Sequence, residues 1–245
     1  MRKEILILAT VFSTNAFISC SKEQNELPGR AKQGNEEISS SINRGNVDPL
    51  TADLEGWFSF DNSLKDKSGK LTDGISSSRG VLYTTDRKGN PKSAIYLDSS
   101  YSVKIKSVPQ QTHTSVSLWF KPLPFTNTIA GSILSSQAMG SNVHQPGIQM
   151  SGTVSTSVST PGAYVPLIIP TWHHAVVTFD GSNVRIYLDN VLKATIPHPA
   201  LIPASLSDYF VGKSFAWPLW KGYVDDLRFY SLTLSDINVS ALYNL

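Results

Sequence analysis

Hydrophobic and polar residues alternate in short segments along residues 51–245. The alternation has a period of two in residues 115–120, 172–179 and 183–188. This period is typical of a β-strand that has one face in the core. The residues predicted to face inward in these strands are Val116, Leu118 and Phe120, then Ala175, Val177 and Phe179, and then Val184, Ile186 and Leu188.

Turn residues separate the predicted strands, and Asp189-Asn190 marks the clearest turn. Both residue types tolerate positive φ, so a two-residue hairpin is expected between residues 183–188 and 191–195. Only the end of the chain has a helical pattern, with Ser235 as the N-cap and Asn238 at the capping-box position. Further strands are predicted at residues 55–60, 94–97, 101–105 and 223–230.

The order of these elements predicts an all-β fold. Strands recur roughly every 8–15 residues, with no alternation of strand and helix of the βαβ kind. A two-sheet antiparallel sandwich of the jelly-roll type, with a short C-terminal helix, is therefore expected.

Composition excludes several classes of protein. Of 245 residues, 40% are hydrophobic and 16% are charged, which allows a sizeable core and excludes global disorder. The net charge of +2 gives no basic excess, so no nucleic-acid partner is expected. Cys20 is the only cysteine, so a disulfide or a cysteine-based zinc site within the chain is excluded.

The N-terminus has the pattern of a secretion signal. Basic residues precede a mostly apolar stretch at residues 5–18, which is shorter than the roughly 20 residues of a membrane span. Ser19-Cys20 and the polar residues after it resemble the signal of Bacteroidetes-type lipoproteins, with Phe17 where leucine is usual. The resemblance implies lipidation of Cys20 and an outer-membrane lipoprotein at the cell surface or in the periplasm. An ordinary signal peptide with a chance cysteine is the alternative.

Three segments are therefore predicted along the chain. Residues 1–19 are the signal peptide, and residues 20–50 are a flexible tether because they contain few large apolar side chains. Residues 51–245 are the folded domain.

Four motifs within the folded domain resemble one family. Residues 57–69 begin with an aromatic strand and end in Asp-x-Ser-Gly, and residues 117–122 read Ser-Leu-Trp-Phe-Lys-Pro. Residues 172–182 begin Trp-His-His and end Asp-Gly-Ser, and residues 222–230 contain Asp-Asp-Leu-Arg. In this order they resemble laminin G-like, concanavalin A-like lectin/glucanase domains. The resemblance implies a curved jelly roll, which hosts lectins, adhesive modules and a few hydrolases.

The acidic residues do not favour an enzyme. Retaining glycosidases of this fold carry clustered carboxylates, and the chemistry needs two of them about 5–5.5 Å apart. Glu55 is the only glutamate after residue 50. Asp225 and Asp226 are adjacent on a predicted strand, so their side chains are expected on opposite faces. The same rule makes His173 and His174 structural residues rather than a metal pair.

The resemblance also implies a structural calcium ion. Alternation predicts that Asp225 shares a buried face with Leu227 and Phe229, and a buried carboxylate needs a partner. Related domains often hold calcium between the first loop and the last strand, so Asp61 and Asp225 are the candidate ligands. The alternative is that Asp225 caps backbone N–H groups or pairs with an arginine.

Carbohydrate is the expected ligand of a non-catalytic, lectin-like domain. Exposed aromatic rings with amides suit a sugar, and the loop residues of this kind are Trp217, Trp220, Tyr164, His144 and Gln145. Packing in the core is the alternative for Trp220, and Trp57, Trp119 and Trp172 are expected in the core. The second hypothesis for the whole domain is a surface module that binds a protein partner, and a glycoside hydrolase is the third.

Overall fold

The structure is a computed structural model. It describes residues 50–98, 100–123, 131–136, 148–150, 153–155, 165–166, 170–197, 205–213 and 220–245. The chain divides into two compact units, residues 1–43 and 44–245, and all described residues belong to the second. Within the described residues, no helix has the length and the apolar composition needed to span a bilayer.

The described residues form fifteen strands and one helix. In chain order they are β1 (Leu54–Phe58), β2 (Ile75–Ser76), β3 (Leu82–Thr84), β4 (Ala94–Leu97), β5 (Val103–Gln110), β6 (Thr114–Pro122), β7 (Gly131–Ser136), β8 (Ile148–Met150), β9 (Thr153–Ser155), β10 (Val165–Pro166), β11 (His173–Phe179), β12 (Asn183–Leu188), β13 (Val191–Pro197), β14 (Ser205–Val211), β15 (Gly222–Tyr230) and α1 (Asp236–Tyr243).

The strands form two antiparallel sheets, which confirms the predicted sandwich. The first sheet has the order β13-β12-β11-β6-β15-β4-β3, and β1 pairs with β15 beside this path. The second sheet has the order β10-β9-β8-β7-β14-β5-β2. All paired strands run antiparallel, and neighbours in space are often distant in sequence, as in a jelly roll.

The core lies between the two sheets. It contains the inward residues predicted from alternation in β6, β11 and β12, together with Ile105, Tyr209 and Val211 of the second sheet. The hairpin between β12 and β13 is also confirmed, because Asp189 and Asn190 have φ angles of 51° and 63°. These are the left-handed conformations that a two-residue turn requires.

A second apolar cluster lies on the outer face of the first sheet, beneath α1. Val239 and Leu242 of the helix pack there against Val176, Tyr187 and Tyr230 of the sheet. The helix begins with the predicted capping box, in which Ser235 and Asn238 bond reciprocally. The helix therefore covers the part of the outer face that β11, β12 and β15 form.

Candidate functional site

A cleft of about 340 Å³ opens beside β15 on the outer side of the first sheet. Trp57 of β1, Arg87 of the turn between β3 and β4, and Asp225, Asp226 and Arg228 of β15 line it, and we call it the ion-pair cleft. It lies where β15 changes partner, since Gly222–Val224 pairs with β4 and Leu227–Tyr230 pairs with β1. The gap between these two partner strands leaves room for Arg87.

A β-bulge in β15 corrects two sequence predictions. The register of β15 against β6 shifts between Asp225 and Arg228, and Asp226 has a φ of 50°. The bulge changes the alternation, so Val224 lies in the core beside Leu227 while Asp225 lies outside it. The prediction that Asp225 shares a buried face with Leu227 and Phe229 is wrong. The separation of Asp225 and Asp226 onto opposite faces is also wrong, because both carboxylates contact Arg87.

The cleft holds a closed network of ion pairs. Arg87 Nη1 lies 2.5 Å from Asp225 Oδ2, and Arg87 Nη2 lies 3.7 Å from Asp226 Oδ2. Arg228 donates from Nε and Nη2 to the two oxygens of Asp226, at 3.1 and 3.3 Å. Trp57 Nε1 donates to Asp226 Oδ1 at 2.7 Å. The floor of the cleft therefore has two carboxylates that are already bound to guanidinium groups.

Two tryptophans enclose this network. Arg228 lies 4.5 Å from the ring centroid of Trp57, and Arg87 lies 4.7 Å from that of Trp119. Trp119 also stacks on Tyr243 of α1, with ring centroids 5.4 Å apart. Trp119 is buried, as expected, although it lies on the outer face of the first sheet. Trp57 and Trp172 are only half-buried, so the core placement expected for these two is not what the structure shows.

The geometry does not assemble a calcium site from Asp61 and Asp225. Both line the ion-pair cleft, but Asp61 is exposed and pairs with Lys67 at 2.7 Å, while Asp225 binds Arg87. In the described part of the chain, no group of three or more His, Cys, Asp or Glu residues could hold a metal ion. The structure matches the alternative of an arginine partner, and calcium stays a prediction that these contacts do not favour.

Asp66 is a buried aspartate in the first loop, and it was not among the residues predicted from the sequence. Its carboxylate accepts hydrogen bonds from the backbone N–H groups of Trp57, Ser68, Lys70 and Leu71, at 2.7 to 3.0 Å. Burial opposes ionisation, but these bonds lower the pKa of Asp66. The role of Asp66 is therefore to hold the loop against β1.

The two histidines have structural partners, as expected. His173 Nδ1 lies 2.7 Å from Asp189 Oδ2, and His174 Nε2 lies 2.8 Å from the hydroxyl of Ser117. Burial lowers the pKa of His174 to about 4, so the imidazole is neutral near pH 7.

Opposite pH dependences are expected from His174 and Asp225. Burial raises the pKa of Asp225 to about 7, although the charge of Arg87 opposes this shift. The folded chain therefore takes up a proton on Asp225 more readily than the unfolded chain does. As a result, the free energy of unfolding falls as the pH rises from 3.8 to 7. For His174 the unfolded chain takes up the proton more readily, so stability falls as pH drops from 6.5 to 4. The two slopes therefore oppose each other between about pH 4 and 6.5.

Replacing either Asp225 or His174 should leave only the other residue's contribution to the pH dependence of stability. For D225N we expect the free energy of unfolding to fall more steeply towards acid than in the natural chain, by up to about 1.4 kcal/mol per pH unit. For H174Q the change in slope has the opposite sign. Urea unfolding of both variants between pH 4.5 and 6.5 measures this, and curves parallel to that of the natural chain would contradict it.

The predicted sugar-site residues fall in different places. Trp217, Tyr164, His144, Gln145 and the lipidation site Cys20 lie outside the described residues. β8 and β10 run in the same direction as β14 in the second sheet. The first residues of β8 and β10 therefore lie at one end of the strands, and the last residue of β14 lies at the opposite end.

Trp220 is a core residue, so its prediction as a ligand-binding residue is corrected. Its side chain is fully buried and meets Phe120 edge-on, with ring centroids 6.4 Å apart. No sugar can stack on a ring in this position. The alternative given for Trp220, packing in the core, is the one observed.

The outward face of the second sheet carries a different aromatic residue. Phe210 of β14 lies opposite Lys104 of β5 and Ser135 of β7, and residues opposite each other share a face. Lys104 Nζ and Lys213 Nζ lie 5.5 and 6.0 Å from the ring centroid of Phe210. Asp208 follows the same alternation as Phe210 and pairs with Lys104 at 2.7 Å. We call Phe210, Lys104, Asp208, Lys213 and Ser135 the Phe210 face.

This face was not predicted, but a weak signal for it exists. Residues 205–211 alternate between two sets that both contain apolar side chains, with Tyr209 and Val211 in one and Leu206 and Phe210 in the other. The sequence alone does not say which set is buried. In the structure Tyr209 and Val211 lie in the core, Phe210 is half-buried and Leu206 is 66% exposed.

The sequence of the folded domain matches a known family. The family model described as the concanavalin A-like lectin/glucanases superfamily matches residues 96–240, which is more than half of the chain. No curated protein matches the chain in sequence.

Solved structures share the fold at low sequence identity. Domain 4 of an extracellular arabinanase from Geobacillus stearothermophilus, solved with arabinotriose, is 21% identical, with a TM-score of 0.62 over 78% of this chain and 98% of that chain. The binding domain of botulinum neurotoxin DC, solved with rat synaptotagmin II, is 15% identical, with a TM-score of 0.61 over 80% of this chain and 52% of that chain. The chain therefore spans about half of the neurotoxin binding domain.

Proposed function

Because the chain belongs to the concanavalin A-like lectin/glucanase superfamily, we propose that it is a non-catalytic carbohydrate-binding domain. The observation that carries the proposal is the Phe210 face. It holds the half-buried ring of Phe210 beside the ammonium groups of Lys104 and Lys213 and the carboxylate of Asp208. A sugar has apolar C–H faces and polar hydroxyls, so a ring flanked by hydrogen-bonding groups suits it.

The similar structures support this class of ligand. The arabinanase domain was solved with arabinotriose, and another similar structure is named for the dependence of botulinum neurotoxin type C entry on two ganglioside molecules. At 21% and 15% identity these likenesses establish the fold alone, so the sugar ligand is our proposal for this chain.

We propose that the domain is not catalytic because the carboxylates of its cleft are bound to arginine side chains. In the ion-pair cleft Asp225 and Asp226 are each bound to an arginine. A glycosidase needs one carboxyl group to give a proton and a second to attack or to activate water. Burial raises the pKa of Asp225 to about 7, as in a general acid, but Arg87 binds this group and Arg228 binds the second carboxylate, Asp226. Glu55 is the only glutamate of the domain.

We also propose that the loops next to the Phe210 face extend the sugar site. Trp217 follows Lys213 by four residues, and it is the aromatic residue best suited to a platform there. We also propose Tyr164, His144 and Gln145 as sugar contacts, from the loops that precede β10 and β8. The ligand would thus be a chain of several sugar units rather than one monosaccharide.

Lipidation of Cys20 is proposed to hold the domain at the outer membrane, on the cell surface or facing the periplasm. Residues 20–50 would then act as the tether between the lipid and the domain. Mass spectrometry of the membrane fraction should show acyl chains on Cys20, and C20S should shift the protein to the soluble fraction. Unmodified Cys20 in a soluble protein would contradict this proposal.

Binding to a glycan array tests the proposed function. For the full chain we expect saturable binding to at least one glycan class, and about a tenfold or greater loss of affinity for F210A, since tenfold corresponds to about 1.4 kcal/mol. W172A is the matched control, because Trp172 is a half-buried aromatic residue next to the other sheet. Equal affinity in F210A and the natural chain would move the site elsewhere. Capture of a protein partner with no glycan signal would favour the adhesion alternative.

A further inference from the structure

We infer that the Phe210 face selects acidic polysaccharides, in which a carboxylate or sulfate group pairs with the lysines around the ring. This inference rests on the proposed carbohydrate-binding function and specifies its ligand. It is carried by the positive charge that Lys104 and Lys106 of β5 and Lys213 after β14 place together, within a chain that is nearly neutral as a whole.

Lys106 lies beside the Phe210 face, in addition to Lys104 and Lys213. Val103 and Ile105 of β5 lie in the core, so Lys104 and Lys106 point outward. Lys213 lies two residues after the end of β14, and its backbone carbonyl accepts a hydrogen bond from Ser135 Oγ at 2.6 Å. This bond fixes the backbone from which the Lys213 side chain reaches the ring of Phe210.

One aspartate neutralises part of this charge. Asp208 pairs with Lys104 at 2.7 Å, and its other oxygen accepts from the backbone N–H of Ser107 at 3.0 Å. The hydrogen bond from Lys104 lowers the pKa of Asp208, with a smaller contribution from the charge of Lys106. Lys106 and Lys213 have no ion-pair partner within the described part of the chain. Two positive charges on the face are therefore available to a ligand.

The ring and the charges together favour an acidic sugar. A pyranose ring on Phe210 would place its substituents near Lys104 and Lys213, whose ammonium groups both lie within 6.0 Å of the ring centroid. A carboxylate or sulfate there gains charge-assisted hydrogen bonds, which are about twice as strong as neutral ones. Nucleic acid is disfavoured, because 21 basic and 19 acidic residues give the chain no general basic character.

Titration with polygalacturonate and with neutral arabinan, using the full chain, tests the inference. We expect polygalacturonate to bind at least tenfold more tightly in 50 mM salt, and to lose most of this advantage in 500 mM salt because exposed charges are screened. K213A and K104A should each weaken polygalacturonate binding about five- to tenfold and should weaken arabinan binding by a smaller factor. K193A is the matched control, since Lys193 is an exposed lysine on β13 of the other sheet.

A gain of affinity is the most selective expected result. D208N keeps an oxygen for the N–H of Ser107 but releases Lys104 from its ion pair, so polygalacturonate should bind severalfold more tightly. Arabinan, which carries no charge, should show no such gain.

Each outcome separates this inference from the proposed function. No binding to polygalacturonate overturns the inference, and the glycan array decides the proposed carbohydrate function separately. Equal binding of the two, unchanged in K104A and K213A, overturns the acidic selectivity and leaves the carbohydrate function standing. Polygalacturonate binding that persists in F210A, or equal binding of single-stranded DNA, overturns the site, because charge alone would then explain it.

Discussion

Replacing Arg87 with methionine should lower the free energy of unfolding by about 3–5 kcal/mol. The side chain of Arg87 is only 12% exposed, and those of Asp225 and Asp226 are 5% and 10% exposed. Without Arg87 the two carboxylates face each other in a poorly solvated cleft, with Arg228 as the remaining partner of Asp226. A buried charge that loses its partner is much more destabilising than the loss of an exposed ion pair.

The control for this prediction is the pair of Lys67 and Asp61, whose side chains are 42% and 48% exposed. K67M should change the free energy of unfolding by less than about 1 kcal/mol. D225N in the R87M background should recover part of the loss, because it removes the uncompensated charge of Asp225. Urea unfolding at pH 8 measures all three variants. Equal effects of R87M and K67M would show that the ion-pair cleft contributes little to stability.

Replacing Trp220 with alanine should cost about 3–5 kcal/mol of stability, the usual range for a large aromatic residue in a core. Trp220 is fully buried, and two glycines make room for it. A Cβ on Gly131 would lie 2.8 Å from the Cα of Trp220, and a Cβ on Gly222 would lie 2.5 Å from its ring. The ring thus fills a space shaped by β7 and β15.

Two companion variants make this prediction specific. G222A should also destabilise the domain, by about 1–3 kcal/mol, because its new methyl group meets both the ring of Trp220 and the backbone oxygen of Lys121. W220F should lose less stability than W220A, and its glycan affinity should equal that of the natural chain. A W220F variant of normal stability that fails to bind glycan would restore Trp220 to the ligand site.

Local patterns predicted the parts of the fold that depend on neighbouring residues. The Asp189-Asn190 turn needs two residues that tolerate positive φ, and the cap of α1 needs Ser235 and Asn238 three residues apart. Both requirements are visible in a few consecutive letters. The same holds for β11 and β12, where strict alternation fixes which side chains reach the core.

The ion-pair cleft could not be predicted in the same way. Alternation assigns Asp225 to the wrong face because the bulge at Asp226 adds a residue to β15, and an aspartate is only a weak sign of a left-handed φ. Its partner Arg87 is 138 residues distant in sequence. Only the pairing of β15 with both β4 and β1 brings the two residues together. The requirement for a partner of Asp225 was foreseeable, but the identity of that partner was not.

The Phe210 face and Trp220 show a second limit. A strand with apolar residues on both faces does not reveal its inward side, so Phe210 was missed while Tyr209 filled the core. Trp220 lies in a short segment without periodicity, where a core ring and an exposed platform look the same. Burial in such places depends on the opposite sheet, as the contact of Trp220 with Phe120 illustrates.

The central claim is that a glycan binds on the outward face of the second sheet. An NMR titration of the full chain with trigalacturonate and with arabinotriose tests it most directly, since amide shifts locate the ligand residue by residue. We predict saturable shifts at Lys104, Phe210 and their neighbours on β5 and β14, and none on the β12–β13 hairpin. Shifts confined to Arg87 and Asn90 in the turn at the ion-pair cleft, or no shifts with either sugar, would contradict the account.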